Sequence, residues 1–380
     1  MRDVFSDEAY VQRMIEVETA LARAQSKVGV IEPDVGDALT QAMAGVKIET
    51  LRLMSEKYRD VPMAGRTHLQ HALPCTFGYK CAVYLSGMIR HLERLGEIEK
   101  RCLYVQFGGA AGTLASLGSD DSGIRVRAEL AKELGLTDPP ITWHSVRDNV
   151  AEILNFLALV GGSLGKIAYD LIVMSSNEIG EVSEPFVPHR GASSTMPQKR
   201  NPISSEVIYA ASKLLRSNAA LGLDAMVVDF ERASGPWHLE WAAIPSAFVL
   251  AAGSLHQTEF ALSGLVVNTG NMLNNLNSTR GLIVGEAVMM ALAPFLGRQA
   301  AHDCVYAACK ESIENGKVLF DILKERPEIT AHIDETKLSQ VCDPTKYFGA
   351  SCLMVDNMIR VADFSTNTQK YVNGTNGFKA

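Results

Sequence analysis

The fold of this chain is decided by residues 146–178, which read VRDNVAEILNFLALVGGSLGKIAYDLIVMSSNE. The stretch contains no proline, and apolar residues occupy nearly every face that a helix of this length would present. A helix that is apolar all round is buried in a large protein or between subunits. The stretch therefore predicts a long helix inside a helical bundle, with other copies of the chain covering part of the bundle.

The rest of the chain continues the helical pattern. Apolar periodicity and proline positions predict further helices over 7–28, 33–58, 77–106, 203–227, 238–266, 282–296, 298–315 and 317–325. No run of alternating apolar and polar residues predicts a strand, and no hairpin signature is present. The predicted fold class is all-α, an elongated helical bundle.

Composition excludes several classes of partner. The chain has 380 residues, 47% of them hydrophobic, a net charge of −7 and no basic block, which argues against nucleic acid as the main partner. Its most apolar stretch, 242–255, is too short to cross a bilayer, and the N-terminus lacks the apolar run of a secretory signal. No membrane partner is therefore expected. Seven cysteines without a CxxC pair favour a reduced, cytoplasmic protein.

The segment from 180 to 201 contrasts with the long helices around it. It contains three prolines, and its second half begins the motif GASSTMPQKRNP, residues 191–202. Loops of this length inside helical domains are often functional. Two interpretations stay open for Ser193, Ser194 and Thr195. They cap the next helix, or they belong to an anion site formed by the free N–H groups at the start of that helix together with Lys199, Arg200 and Asn201.

A second polar cluster occupies GRTHLQHALP, residues 65–74. His68 and His71 lie within one turn of each other beside Arg66, Thr67 and Gln70, which favours a polar site over two structural histidines. A metal site is less favoured because a third ligand at suitable spacing is missing nearby, and no cofactor is expected.

Four further motifs have packing as their first interpretation. The glycine-rich stretches 106–118 and 161–166 match neither a P-loop nor a dinucleotide fingerprint and predict close helix packing. WHSVRD (143–148) and ERASGPWHLEW (231–241) predict core packing, with substrate-pocket lining as the alternative. Trp237 and Trp241 are expected on one helix face.

GASSTMPQKRNP resembles GSSxMPxKxNP, the signature of the fumarase/aspartase superfamily. GRTHLQHALP resembles a second block of that superfamily, and the resemblance continues to DPTKYFG near residue 349. Within the superfamily the chain is most similar to bacterial-type 3-carboxy-cis,cis-muconate cycloisomerases, near the adenylosuccinate lyases. The resemblance implies a homotetramer with active sites shared between subunits. It also implies three domains: a truncated N-terminal helical domain (1–45), a central bundle (46–267) and a C-terminal helical domain (268–380).

The resemblance also implies the chemistry. A small carboxylate substrate would react through an aci-carboxylate intermediate, which donors and cations of the site stabilise. Ser193 matches the catalytic base and His68 the general acid of the C–N lyases. The positions of Thr67, Lys199 and Asn201 match substrate-binding residues, and Arg66, Gln70, Ser194 and Met196 are predicted to line the same site. Lactonisation of the cycloisomerase type is the first prediction, and a C–N lyase releasing fumarate is the alternative.

One block of the superfamily is missing. Relatives carry a Thr-Ser-x-Asp core after several dozen residues of the N-terminal domain, whereas this chain contains no Thr-Ser dipeptide. The block normally supplies hydroxyl groups and a backbone anion site to one wall of the active site. Its absence adds a third hypothesis, an inactive structural or regulatory homologue.

Overall fold

The computed structural model describes residues 48–187, 190–191, 195–196, 198–232 and 234–375, with side chains described as far as residue 364. The predicted helix over 7–28 and the first part of the helix predicted over 33–58 lie outside these residues. Ser193 and Ser194 lie outside them as well.

Helices make up most of the described chain, which confirms the all-α prediction. In chain order they are α1 (Ile48–Lys57), α2 (Phe77–Cys102), α3 (Ser122–Glu133), α4 (Asp148–Met174), α5 (Ile203–Asp224), α6 (Pro236–Ser263), α7 (Thr269–Asn277), α8 (Gly285–Leu296), α9 (Arg298–Asn315), α10 (Leu319–Lys324), α11 (Pro327–Thr330), α12 (Glu335–Val341) and α13 (Ser351–Thr375). The predicted helices from residue 77 onward are each found within a few residues of their expected ends.

The prediction that the chain has no hairpin is wrong. β1 (Pro62–Thr67) and β2 (Gln70–Thr76) pair antiparallel, and a second short pair joins β3 (Val182–Ser183) to β4 (Val266–Val267). The hairpin escaped notice because neither strand shows the alternation of a half-buried strand. Its inner side is fixed by packing: Ala64 is buried in a cluster with Leu276 and Val284.

Contacts divide the described chain into two compact units. The first contains Gly87–Ile172 and Phe186–Gly264, and the second contains Ile48–Ser86, Val173–Pro185 and the chain from Leu265 on. The division into three domains at residues 45 and 267 stays a prediction.

Glycines allow α4 and α5 to approach closely in the first unit. A Cβ on Gly165 would lie 2.8 Å from the Cβ of Ser212, and one on Gly161 would lie 2.4 Å from Leu215 Cδ1. The prediction of close helix packing is therefore confirmed for 161–166. It is wrong for 106–118, where Gly112 instead packs against the side chain of His144 in an irregular segment.

Helix α4 is a long and strongly apolar helix of the described chain. Its length and composition would let it cross a bilayer, but half of its most apolar window is buried against the rest of the chain, as in core helices of globular proteins. Other apolar residues of α4 face solvent: Leu159 is 54% exposed and Tyr169 is 42% exposed. The single chain thus leaves part of this apolar helix exposed to solvent.

In the second unit, helices α8 to α12 enclose an apolar core of their own. Its fully buried members include Val288, Leu292, Leu319, Leu323 and Ile329. The hairpin is packed in the same unit, against α7 and the residues that follow it. This unit therefore gives the hairpin a rigid support.

Candidate active site

Four predicted site residues lie on the β1–β2 hairpin. Arg66 and Thr67 end β1, and Thr67 pairs with Gln70 at the start of β2. The two residues between them, His68 and Leu69, have φ angles of 52° and 60°. A two-residue hairpin turn requires this left-handed conformation and usually selects Asn and Gly. Residues with larger side chains are strained there by about 1–2 kcal/mol each.

The tip of the hairpin is open to solvent in the single chain. His68 is exposed, and Leu69 is 66% exposed. Strained backbone that persists is a common feature of functional sites. The hairpin therefore presents the His68 imidazole on an exposed and strained turn, where it can meet a substrate.

The guanidinium of Arg66 binds another side chain of the protein, so it is not available to a substrate at the tip. It forms a bidentate ion pair with Glu181, with Nη2–Oε1 at 2.7 Å and Nη1–Oε2 at 3.0 Å, and it also donates to the carbonyl of Ala64. The side chain of Glu181 is 0% exposed and that of Arg66 is 14% exposed. Asn275 completes the network by donating to Glu181 Oε1 at 2.9 Å and to the carbonyl of Ile179. Arg66 was predicted to bind substrate, but its guanidinium is committed to a buried carboxylate.

The second histidine of the motif lies beside this network. His71 pairs in register with Arg66, and its Nδ1 is buried without a hydrogen-bond partner among the described residues. Burial lowers the pKa of His71, and the positive charge of Arg66 lowers it further. Burial also raises the pKa of the neighbouring Cys75 thiol. Both shifts favour uncharged side chains beneath the tip.

The signature loop is closed at its base by one asparagine. The backbone N–H of Asn201 donates to the carbonyl of Gly191 at 3.2 Å, and its side-chain amide donates to the same oxygen at 2.9 Å. Gly191 has a φ of 67°, and a Cβ there would lie 2.8 Å from the carbonyl oxygen of Asn201. Met196 and Lys199 are exposed between these ends. Asn201, predicted to bind substrate carboxylate, thus already uses its amide within the loop.

The helix that follows the loop begins later than the capping interpretation requires. Helix α5 starts at Ile203, and its N-cap residue, Pro202, makes no side-chain hydrogen bond. Thr195 lies eight residues before that start. The interpretation of the Ser-Ser-Thr run as ordinary capping is therefore wrong for Thr195, and Ser193 and Ser194 lie outside the described residues.

Arg190 anchors the loop on its N-terminal side. Its guanidinium donates to the hydroxyl of Ser204 and to the side-chain carbonyl of Gln257. It also lies over the ring of Phe260, 3.9 Å from the ring centroid. On the other side, the guanidinium of Arg200 lies 3.6 Å from the centroid of Phe186. The two cation–π contacts hold Arg190, which precedes the loop, and Arg200, which lies near its C-terminal end.

The two Trp-containing motifs meet through a buried ion pair in the first unit. Arg147 donates to Glu240 in bidentate fashion, with Nε–Oε1 at 2.8 Å and Nη2–Oε2 at 2.6 Å. The Arg147 guanidinium also lies over the ring of Trp143. Trp237 and Trp241 are in edge contact at 5.4 Å between centroids, which confirms that they share a helix face. Glu240 is the one buried residue among the described positions of 231–241, and Trp241 is 62% exposed, so core packing is not confirmed for that motif and pocket lining stays open.

The predicted site residues fall into two groups, the hairpin in one compact unit and the signature loop in the other. Within the described residues, no group of three or more His, Cys, Asp or Glu side chains is placed to hold a metal ion. The chemistry that these groups can supply is proton transfer and binding of anions.

Sequence reasoning missed Glu181 and Asn275, which support the hairpin, and Gln257, which supports the loop. Glu181 stands 115 residues from its partner. No periodicity or motif connects such positions. A buried acidic residue in an otherwise ordinary loop sequence leaves no signal of its own.

Two family models match this chain. The model described as Lyase matches residues 47–214, and the model described as Adenylosuccinate lyase C-terminus matches residues 281–358. The first covers the hairpin and the signature loop, so both groups of site residues lie in a region typical of lyases.

Three curated relatives show how far the similarity extends. Trans-aconitate decarboxylase 1 of Mycosarcoma maydis is 45% identical over 82% of this chain and 63% of its own length. The 3-carboxy-cis,cis-muconate cycloisomerase of Pseudomonas aeruginosa is 36% identical over 94% of this chain and 93% of its own length. Nitrosuccinate lyase of Streptomyces davaonensis is 32% identical over 93% and 91%.

The cycloisomerase alignment is longer than the part of this chain that it matches. It spans 430 positions, whereas 94% of this 380-residue chain is about 357 residues. About 73 positions of the alignment therefore have no residue of this chain.

Solved structures agree with the sequence relatives. A fumarate lyase from Mesorhizobium sp. BNC1 is 43% identical, with a TM-score of 0.84 over 94% of this chain and 96% of that one. The 3-carboxy-cis,cis-muconate lactonizing enzyme of Pseudomonas putida is 32% identical, with a TM-score of 0.86 over 96% and 97%. On its sequence motifs, its helical fold and its near full-length relatives, the chain belongs to the fumarase/aspartase superfamily of lyases.

Proposed function

We propose that this protein acts on a small polycarboxylate at the carbon beside a carboxylate, with lactonisation of 3-carboxy-cis,cis-muconate as the leading reaction. The observation that carries the proposal is the similarity to the Pseudomonas aeruginosa cycloisomerase, which extends over nearly the whole of both chains. The hairpin with His68 and the loop with Lys199 lie within residues 47–214, which the lyase family model matches.

The named substrates of the relatives share one chemical unit. 3-Carboxymuconate, trans-aconitate and nitrosuccinate each carry two carboxylates on adjacent carbon atoms. A site that binds this unit needs fixed donors and cations for two anions. The substrate class proposed here is therefore an adjacent dicarboxylate with a third group that differs between enzymes.

In the leading reaction one carboxylate oxygen adds to a carbon–carbon double bond and closes a lactone. The electron pair of that double bond moves to the carbon beside another carboxylate, which becomes an aci-carboxylate. A proton then reaches that carbon. Ser193 is the proposed proton-transfer group at carbon, while Lys199 and Thr67 bind carboxylate oxygens of the substrate.

The role of His68 depends on the reaction. In a lyase that releases an amine, His68 is proposed to supply the proton that the leaving nitrogen takes, whereas nitrite would leave as an anion without a proton. In lactonisation no group leaves, so His68 instead stabilises charge on the carboxylate or returns the proton to Ser193. The C–N lyase alternative is supported by the similarity to nitrosuccinate lyase.

Decarboxylation of a tricarboxylate is a second candidate. It is favoured by the identity of 45% to trans-aconitate decarboxylase 1, which exceeds the 36% to the cycloisomerase. In that reaction a carbon–carbon bond breaks, carbon dioxide leaves, and the remaining carbanion takes a proton. The same adjacent carboxylates would be bound in both cases.

A shared site would require more than one copy of the chain. Helices α4 and α5 border an open groove of about 770 Å³ whose lining includes Leu159, Tyr169, Tyr209 and Leu223. The hairpin tip is exposed as well. A cytoplasmic homotetramer that completes the site from several subunits is proposed, and light scattering coupled to size exclusion measures its mass.

The absence of a Thr-Ser-x-Asp block from the sequence supports a competing proposal, that the chain is an inactive homologue. One assay separates the alternatives. Purified protein is offered 3-carboxymuconate, trans-aconitate, and fumarate with ammonia or nitrite. Loss of the muconate absorbance, abolished in Ser193→Ala, supports lactonisation. Release of carbon dioxide from trans-aconitate supports the second candidate. An absence of turnover on all substrates supports the inactive homologue.

A further inference from the structure

We propose that Arg66 is a positioning residue, whose buried ion pair with Glu181 holds the strained His68–Leu69 turn in the geometry that His68 needs for proton transfer. The inference rests on the proposed function, because that function gives His68 its chemical role. It differs from the assignment of Arg66 as a residue that binds substrate directly.

The turn needs an external support. His68 and Leu69 both adopt the left-handed conformation without being glycine or asparagine. Such a conformation persists only when the surrounding structure determines it. Because Leu69 is 66% exposed, its own side chain contributes little packing to hold the turn.

The strand ladder alone supplies limited support. The pairing of β1 with β2 is irregular between Ala64 and Arg66, so only the pairs Arg66–His71 and Thr67–Gln70 remain between the irregularity and the turn. A short two-stranded ribbon is only marginally stable in water. The tip therefore depends on contacts made by the side chains of these last pairs.

The Arg66 side chain makes that contact. Its two bonds to the Glu181 carboxylate, 2.7 and 3.0 Å long, fix both the position and the plane of the guanidinium. A bidentate pair between Arg and a carboxylate is directional as well as strong. Arg66 lies two residues before His68, so its placement fixes the direction in which the chain enters the turn.

Glu181 is held in turn by the surrounding backbone and by helix α7. Its N–H donates to the carbonyl of Met174 and its own carbonyl accepts from Asn268, both at 2.9 Å. Asn275, on α7, binds its carboxylate, and Asn271 donates to the carbonyl of the preceding Gly180. A group held this way on a rigid element is suited to position a functional residue.

Direct binding of substrate by Arg66 conflicts with the same contacts. A substrate carboxylate would have to displace Glu181, whose side chain is 0% exposed. That would leave a buried carboxylate without its counter-charge, which is strongly unfavourable. An ion pair of Arg66 and Glu181 that stays intact and supports the turn is consistent with the burial of both side chains.

Steady-state kinetics of Arg66→Lys and Glu181→Gln test the proposal on the substrate that the wild-type enzyme turns over. Both variants are expected to lower kcat at least tenfold and to change KM less than threefold. In a His68→Gln background the same substitutions should lower kcat no further, because the group that they position is gone. A rise in KM at unchanged kcat for Arg66→Lys, with no effect of Glu181→Gln, would overturn the proposal. Loss of kcat that persists unchanged in the His68→Gln background would overturn it as well.

A matched control lies in the same compact unit. Arg59 makes a bidentate pair with Asp356 at 2.6 and 2.7 Å, away from the turn. Asp356→Asn is expected to leave kcat and KM unchanged. Asn275→Ala retains the ion pair and removes the hydrogen bond that Asn275 donates to Glu181. It therefore provides a less destabilising variant if Glu181→Gln fails to fold. It should lower kcat two- to fivefold.

Hydrogen exchange separates this inference from the proposed function. Amides of residues 66–71 should exchange at least fivefold faster in Glu181→Gln or Asn275→Ala than in wild type, and Asp356→Asn should leave them unchanged. If the wild type turns over none of the substrates, the proposed function fails. The exchange rates still test whether the ion pair of Arg66 and Glu181 stabilises the turn. Equal exchange in the variants and the wild type would contradict that support directly.

Discussion

Asn201 binds the carbonyl oxygen of Gly191 twice, through its backbone N–H at 3.2 Å and its side-chain amide at 2.9 Å. The two residues stand at the two ends of the signature loop, so a single acceptor ties those ends together. The two ends of the loop can separate only if both hydrogen bonds to the Gly191 carbonyl break.

Asn201→Ala is expected to loosen the loop without unfolding the protein. The loss of one amide–carbonyl bond costs about 1 kcal/mol, and the backbone bond to Gly191 remains. Trypsin should therefore cut after Lys199 or Arg200 roughly fivefold faster than in the wild type, as that free energy implies for local opening. Mass spectrometry of the cleavage time course measures the change.

The control for this experiment is Asn155→Ala. Asn155 donates to the carbonyl of Ala151 at 2.8 Å within α4, so the substitution removes a bond of the same kind far along the sequence from the loop. Cleavage after Lys199 should keep its wild-type rate. Equal acceleration in both variants would show that general destabilisation, and not the loop base, sets the cleavage rate.

Glu240→Gln should be one of the most destabilising single substitutions in the first unit. Glu240 and Arg147 have side-chain exposures of 4% and 11%, so the substitution leaves a nearly buried guanidinium without its counter-charge. Breaking a buried pair in this way costs about 3–5 kcal/mol. Denaturant unfolding at fixed protein concentration measures the loss.

The exposed pair of Arg101 and Glu152 provides the comparison. Their side chains are 55% and 35% exposed, and Glu152→Gln should cost less than about 1 kcal/mol because solvent screens the pair. If Glu240→Gln cost no more than Glu152→Gln, water would have to reach the buried pair. The double variant Arg147→Met with Glu240→Leu should recover much of the stability, since no charge is then left buried.

His91 should make the protein sensitive to acid. Burial, aided by the nearby charges of Arg94 and Arg90, lowers the pKa of His91 to about 4. Its Nε2 lies 2.8 Å from the Ser163 hydroxyl, while Arg94 donates to Nδ1, so the neutral ring donates through Nε2. The folded protein therefore holds this histidine uncharged.

The sign of the effect follows from proton binding. Below pH 6.5 the unfolded chain takes up a proton at His91, whereas the folded chain takes it up only near pH 4. The contribution of His91 to the free energy of unfolding is therefore fully present above pH 6.5. It is lost as the pH falls toward 4, and the loss is on the order of 3 kcal/mol at most. The difference in unfolding free energy between wild type and His91→Gln should change over this range. Parallel pH curves for the two proteins would rule the effect out.

The helices were predictable because their signals are local. In 146–178 the absence of proline and the run of apolar residues fix helix α4 without reference to any other part of the chain. The signature loop was predictable for a similar reason, since its residues are contiguous. Each of these features is written within thirty-odd neighbouring positions.

The hairpin and its support were not predictable in this way. Its turn has His68 and Leu69 where Asn and Gly would have indicated a hairpin. Its strands contain Pro62 and Pro74 and few β-branched residues, so tertiary packing overrides a weak local preference. The pair of Arg66 and Glu181 depends on a contact across 115 residues, which sequence patterns do not encode.

Gly165 should tolerate no side chain, although it lies in the middle of a helix. A Cβ at this position would lie 2.8 Å from both Cβ and Oγ of Ser212 on α5, and Ser212 Cβ is attached directly to the backbone. Overpacking of this kind costs about 1–3 kcal/mol, which outweighs the gain of roughly 0.5–1 kcal/mol in helix propensity. Gly96→Ala in α2 provides the contrast, because a Cβ there would meet nothing within 4 Å. Thermal unfolding should show a lower melting temperature for Gly165→Ala and a slightly higher one for Gly96→Ala. A gain in both variants would mean that α4 and α5 lie farther apart than the glycine contacts indicate.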